Sequence, residues 1–158
     1  MRNNDWLEAK LNTIWDKSFS DINRKNTIFI IFGRNARTRL GSIRAKRDTW
    51  TGKHQDTQII VTGFFKDERV PEFIIDVTIA HELCHYAHGF FSPLPQLSKY
   101  PHQGGIVERE LKRRGFANDL DKQHQWLKQN WSGITGNRRR RSRKGRRIGL
   151  LECLLNLS

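Results

Sequence analysis

The stretch Ala80-His81-Glu82-Leu83-Cys84-His85-Tyr86-Ala87-His88-Gly89 organises the chain. His81 and His85 stand four residues apart with Glu82 beside the first. On a helix, positions i and i+4 lie one above the other, so the two imidazoles can converge on a single metal ion. H-E-x-x-H is the order found in zinc hydrolases, where the glutamate takes a proton from water and does not bind the metal. The competing explanation is a surface helix that merely carries two histidines, and the helical context argues against it. Pro71 fits a first helical turn, Gly89 fits a C-terminal cap, and Phe73, Val77, Ala80, Cys84 and Ala87 recur between them at spacings of four and three. This pattern predicts a helix that buries one stripe and turns the flanking histidines toward a cleft.

Upstream, Asp5 and Glu8 resemble a capping box, and Leu7, Leu11, Ile14, Trp15 and Phe19 repeat at helical spacing, which predicts an amphipathic helix over 5–19. Thr27 to Phe32 is a β-branched and aromatic run closed by Gly33, the pattern of a buried strand. Gly41 to Lys46 alternates Ile43 and Ala45 against Ser42, Arg44 and Lys46, as a strand with one wet, basic face does. That face can meet a polyanion or simply water. Asp48 to Asp56 is polar and turn-rich, and Gln58 to Thr62 forms a third strand ending at Gly63.

Downstream, Pro93, Pro95 and Pro101 force a loop that ends at His102-Gln103-Gly104-Gly105. A helix is predicted from Ile106 through Val107 and Leu111 to a stop at Gly115, and another from Asp119 to Asn130 through Leu120, Trp126 and Leu127. The fold class expected is α+β: an N-terminal helix, a three-stranded antiparallel-type sheet, the H-E-x-x-H helix and two further helices. The domain is expected to span 1–132, followed at 133–158 by a basic, disordered tail with a short apolar end.

The chain has 158 residues, a net charge of +13 and a pI near 10.4. Those values suit one domain and point to nucleic acid or another polyanion as partner. Eight of the ten residues from 138 to 147 are basic (Arg138, Arg139, Arg140, Arg141, Arg143, Lys144, Arg146 and Arg147), which leaves +5 for the rest of the chain. Such a run binds DNA or RNA phosphates in a salt-dependent, sequence-tolerant way, or is a solvated tail that binds nothing. Trp50 and Trp126 can stack on unpaired bases, although core packing is the commoner use of tryptophan. The apolar end, Ile148 to Leu157, could touch a membrane surface, dock on the domain or meet another chain. Cys84 and Cys153 form no disulfide framework and no zinc ribbon, and Cys84 fits a small core residue. No apolar run approaches a membrane span and no signal region opens the chain, so a cytoplasmic protein is expected.

A catalytic zinc takes three protein ligands and leaves a fourth position to water, so a third ligand must come from elsewhere. His102 follows a loop that can fold back under the helix, and the two glycines after Gln103 let the backbone pass close to the metal. His88 lies about a turn beyond a metal held between His81 and His85, which suits a supporting or cleft residue. Glu108 and Glu110 could supply a carboxylate ligand. His54 and His124 are weaker candidates.

Ile79-Ala80-His81-Glu82-Leu83-Cys84-His85, the preceding Gly-Ser-Ile-Arg strand, Pro101-His102 and Glu110-Leu111-Lys112-Arg113-Arg114-Gly115 together resemble the SprT-like family of zincin metallopeptidases, which includes the Spartan proteases. The likeness covers roughly residues 5 to 131. It implies a zincin fold, zinc held by His81, His85 and His102, Glu82 as catalytic glutamate, and proteolysis of DNA-associated or DNA-crosslinked proteins. Family members often place glycine directly after the third histidine, where this chain has Gln103, and many carry a C-terminal cysteine ribbon, which this chain lacks.

With zinc bound, Glu82 would accept a proton from water and pass it to the leaving amine. Tyr86, Tyr100 and His124 are possible donors to the developing oxyanion. The rival from another class is a non-catalytic nucleic-acid-binding module with a structural or vestigial zinc site. A third alternative is a metal-dependent hydrolase of RNA.

Overall fold

The computed structural model describes residues 1–47 and 55–136. Helix α1 (Asn4–Ser18) is capped by Asn3, whose side-chain oxygen accepts from the Trp6 N–H at 2.9 Å. Asparagine here satisfies one of the amides that a helix start leaves unpaired. The cap therefore lies two residues before the capping box expected at Asp5. Leu7, Leu11, Ile14 and Trp15 are buried, and they hold α1 against the sheet and the central helix.

Among the described residues the strands are β1 (Ile28–Phe32), β2 (Gly41–Arg47) and β3 (Gln55–Val61), in the spatial order β1-β3-β2. β2 pairs antiparallel with β3, but β1 pairs parallel with it. The antiparallel-type sheet expected from sequence is thus corrected to a mixed one. The chain does reverse direction between successive strands. β3, however, inserts between its two predecessors, which places it beside β1 pointing the same way. Hydrophobic alternation encodes which face is wet and carries no information on this order.

Ile30, Ile59 and Ile43 stand in register across the three strands, and all are buried. They form the inner face. Phe29, Gln58 and Arg44 stand in register on the outer face, where Phe29 is 40% exposed. β1 is accordingly one-faced and not the fully buried strand its composition suggested.

Helix α2 (Glu72–Ala87) follows Pro71, which occupies the N-cap, and ends at Gly89, whose φ of +82° is the left-handed geometry of a helix stop. The His88 N–H donates to Cys84 O and the Gly89 N–H to Tyr86 O. Ile74, Ile75, Ile79 and Leu83 are buried along with Val77, Ala80 and Cys84, while Phe73 and Ala87 are half-buried. The one-sided stripe expected for this helix is therefore corrected. α2 is the axis of the fold and is apolar on most sides, as a helix surrounded by protein must be. Each fully buried Ile or Leu there stabilises the fold by roughly 1.5–3 kcal/mol relative to exposure.

α3 (Ile106–Leu111) leads through a π-type turn at Lys112–Phe116, with Gly115 at φ +92°, into α4 (Ala117–Thr135). α4 starts two residues before and ends five residues after the helix expected at Asp119–Asn130. Leu120, Leu127 and Trp131 bury its inner side, and the Gln123 amide donates to Ile74 O at 2.9 Å and Thr78 Oγ1 at 3.2 Å. Trp126 is half-buried against the core. No described helix is long and apolar enough to cross a membrane. Trp50, His54, Cys153, the basic run Arg138–Arg147 and the apolar end Ile148–Leu157 lie outside the described residues.

Candidate metal centre

His81 and His85 project from consecutive turns of α2. The third histidine arrives on the loop between α2 and α3, and that loop is strapped down along its length. The Phe90 N–H donates to His85 O at 2.9 Å, Ser92 Oγ to Tyr86 O at 2.7 Å, and the Leu97 N–H to His88 O at 3.0 Å. Thr57 Oγ1 on β3 donates to Phe91 O at 2.7 Å. Phe91 holds a positive φ of 54°, which is uncommon for a bulky residue and marks a constrained turn. Gly104 and Gly105, at φ +62° and +69°, then turn the chain sharply into α3, one residue beyond His102.

The three ring nitrogens offered by His81, His85 and His102 all lie within 4.8 Å of one another. His81 Nε2 stands 3.2 Å from His85 Nε2. Two nitrogens bound tetrahedrally to zinc are about 3.3 Å apart, so this pair is already at ligand spacing. The His102 ring centroid lies 4.7 Å from that of His85 and 5.3 Å from that of His81. Burial lowers the pKa of His81 to about 3 and that of His85 to about 2, each further depressed by neighbouring imidazoles. His102 shifts down for the same primary reason. All three are therefore neutral at pH 7, the form in which a histidine donates a lone pair to a metal. The donor set fits a divalent cation.

Glu82 is 2% exposed, and burial raises its pKa to about 8, while the charge of Arg39 acts in the opposite direction. Its Oε2 has no hydrogen-bond partner among the described residues. An orphaned buried carboxylate oxygen next to three converging histidines is an acceptor waiting for a proton donor. Gly41, the first residue of β2, packs directly on the other oxygen: a Cβ there would meet Glu82 Oε1 at 2.6 Å and Thr78 Cγ2 at 2.9 Å. Sequence reasoning did not single out Gly41. A glycine opening a strand is a signal for close backbone approach and could have found it.

The other candidates fall elsewhere. Glu108 is ion-paired with Lys112 at 2.7 Å, and Glu110 with Arg113 at 2.6 Å and Arg114 at 2.8 Å. His88 is buried, but neither it nor His124, half-buried on α4, belongs to the three-histidine group. The Tyr86 hydroxyl donates to Asn26 Oδ1 at 2.8 Å and accepts from the Lys25 N–H at 3.2 Å, so it is engaged away from the histidines. Tyr100 is exposed on the loop. Cys84 is buried, and burial pushes its thiol pKa up, as suits an inert core residue. Comparison with protein-family models, curated proteins and solved structures finds no match to this chain.

Proposed function

We propose that the protein is a zinc-dependent metallopeptidase in which His81, His85 and His102 hold the metal and Glu82 moves the proton. The observation that carries this is the convergence of three neutral imidazoles within 4.8 Å beside a buried glutamate with an unpartnered oxygen. Three histidines are a donor set of catalytic zinc sites, which keep one position open. When bound, zinc activates water at neutral pH and polarises a carbonyl. Glu82 supplies the base: the charge of a bound metal would oppose the burial that raises its pKa, and the ionised carboxylate would then accept the water proton and deliver it to the departing amine nitrogen as the peptide bond breaks. Gly41 leaves the space that Oε1 occupies, since a Cβ there would stand 2.6 Å from it. α2 provides rigidity, since a helix buried on most sides holds its two histidines and Glu82 in constant relation.

The order of elements agrees with the resemblance to SprT-like zincins: N-terminal helix, sheet, H-E-x-x-H helix, loop with the third histidine, and two helices. Charge supports the substrate class. At +13 the chain is drawn to nucleic acid, and so to proteins bound or crosslinked to it.

The test is cleavage of a DNA-bound protein by the purified, zinc-loaded full chain, followed by electrophoresis of both polypeptide and DNA. The expected result is polypeptide cleavage that Glu82→Gln abolishes while the metal is retained. Equal cleavage by Glu82→Gln, or a cut nucleic acid with an intact polypeptide, would contradict the proposal.

A further inference from the structure

A groove of about 690 Å³ is lined by Ile31, Arg44 and Ile60 of the outer sheet face, turned away from α2, together with Arg34 and Arg39 of the β1–β2 connection. From Arg24 to Arg47 the sequence has eight basic residues and no acidic one. Arg34, Arg39 and Arg44 are exposed, and none is ion-paired among the described residues; the arginines that are paired there are Arg69, Arg113 and Arg114. Gln58 Oε1 accepts from Arg44 Nε at 2.9 Å and Nη2 at 2.6 Å, which fixes the guanidinium over β3 without neutralising it. Asp56 lies at the far end of this face, in register with Lys46.

Beside these charges the face offers apolar and aromatic surface. Ile31 and Ile60 are half-buried, and Phe29 is exposed in the same row, with Lys46 Nζ 4.8 Å from its ring centroid. Cations alternating with an exposed aromatic on a sheet surface are what a single strand of nucleic acid requires: charge for phosphates and a ring for a base. An acidic peptide would use the charge and leave the ring unused. The chain also leaves the described residues at this edge. The Gly136 carbonyl accepts from Arg37 Nη1 at 3.0 Å, and the Arg138–Arg147 run begins two residues later in sequence.

We propose that this outer sheet face binds single-stranded nucleic acid, with Arg34, Arg39 and Arg44 on phosphates and Phe29 against a base. The site goes beyond the peptidase proposal and does not depend on it. Gly41 also lines the groove, and Glu82 Oε1 lies beside it, so a bound strand would lie next to the metal centre without entering it.

The experiment is fluorescence anisotropy of labelled oligothymidylate, about 20 nucleotides long, titrated with the full chain. It is run between about 50 and 200 mM salt, with and without a chelator. Four variants accompany the unaltered chain: Arg34→Ala/Arg39→Ala/Arg44→Ala, the same three positions as Lys, Phe29→Ala, and glutamine at the eight basic positions of 138–147. The triple alanine variant should bind about 10-fold more weakly at the higher salt, with the slope of log affinity against log salt reduced by about 2 for three lost phosphate contacts. The triple lysine variant should keep the slope. Phe29→Ala should bind about 5-fold or more weakly with the slope unchanged. The glutamine variant should retain measurable binding, and chelation should change none of this. Unchanged affinity and slope in the triple alanine variant would overturn the site and leave the tail as the binder. Equal competition by polyglutamate, together with no effect of Phe29→Ala, would overturn the nucleic-acid assignment in favour of an acidic protein.

Discussion

Gly41 touches the carboxylate of Glu82: a methyl carbon on its Cα would stand 2.6 Å from Oε1, well inside van der Waals contact. The start of β2 thus leaves the space that the base of the proposed reaction occupies. Gly41→Ala should force Glu82 or Thr78 to move, lowering stability by about 1–3 kcal/mol and kcat by at least about tenfold, with the bound metal retained. Thermal unfolding and turnover of the same preparation check this. An alanine variant with unchanged kcat would show that the Glu82 position is not set from β2.

Glu82→Gln keeps the shape of the side chain and removes its ability to take a proton. Metal content should be unchanged while kcat falls by about 10²–10⁴-fold, the usual worth of a general base. Loss of metal together with activity would instead make Glu82 a ligand.

Gly89 ends α2 and lets the histidine loop start. Its φ is +82°, and a Cβ would collide with the Pro95 carbonyl and meet Gln96 Cα at 2.6 Å. Because both neighbours are backbone, Gly89→Ala must displace the loop that delivers His102. It should cost about 2 kcal/mol or more in stability and weaken metal binding at the same time. Competition with a chelator measures the second effect, and unaltered metal affinity would separate the loop path from the His102 position.

Arg114 ties α3 to the end of α1. Its side chain is 4% exposed, lies 4.2 Å from the Phe19 ring centroid, pairs with Asp21 at 2.6 Å and Glu110 at 2.8 Å, and donates to Ser18 O. Arg114→Ala should cost about 2–4 kcal/mol, with most of the loss on the Glu110 side because Asp21 is 53% exposed and screened. The pH dependence has a definite sign. Hydrogen bonds from Arg114 hold Asp21 below the usual carboxylate range, and those from Arg113 and Arg114 do the same for Glu110. Their contribution is complete above the unfolded carboxylate pKa of about 4 and is lost as pH falls through the depressed folded values. Melting temperature followed from about pH 5 to pH 2 should therefore fall less steeply in the variant. Parallel curves would contradict the role assigned to this network.

Much of the fold was legible because local patterns carry it. α1, the three strands, α2 and the two later helices all follow from periodicity and from Gly and Pro placement. The strand order was not legible, since alternation in β1 and β3 is the same whether they run parallel or antiparallel. The stripe from Phe73 to Ala87 does not convey the enclosure of α2, because Ile74, Ile75, Ile79 and Leu83 fill its other sides. At the site, His81, Glu82 and His85 are read from spacing within one helix. His102 was harder: the loop that carries it is tied to β3 by the hydrogen bond from Thr57 Oγ1 to Phe91 O, 34 positions apart, which no local pattern encodes. Gly41 against Glu82 is a contact across 41 positions in sequence and belongs to tertiary packing alone.

The metal content of the purified full chain tests the central claim most directly, measured by elemental analysis beside His81→Ala, His102→Ala and His88→Ala. One zinc per chain is expected, lost in the His81 and His102 variants and retained in the His88 variant. A chain that binds no zinc, or one whose zinc survives His102→Ala, would contradict the three-histidine centre.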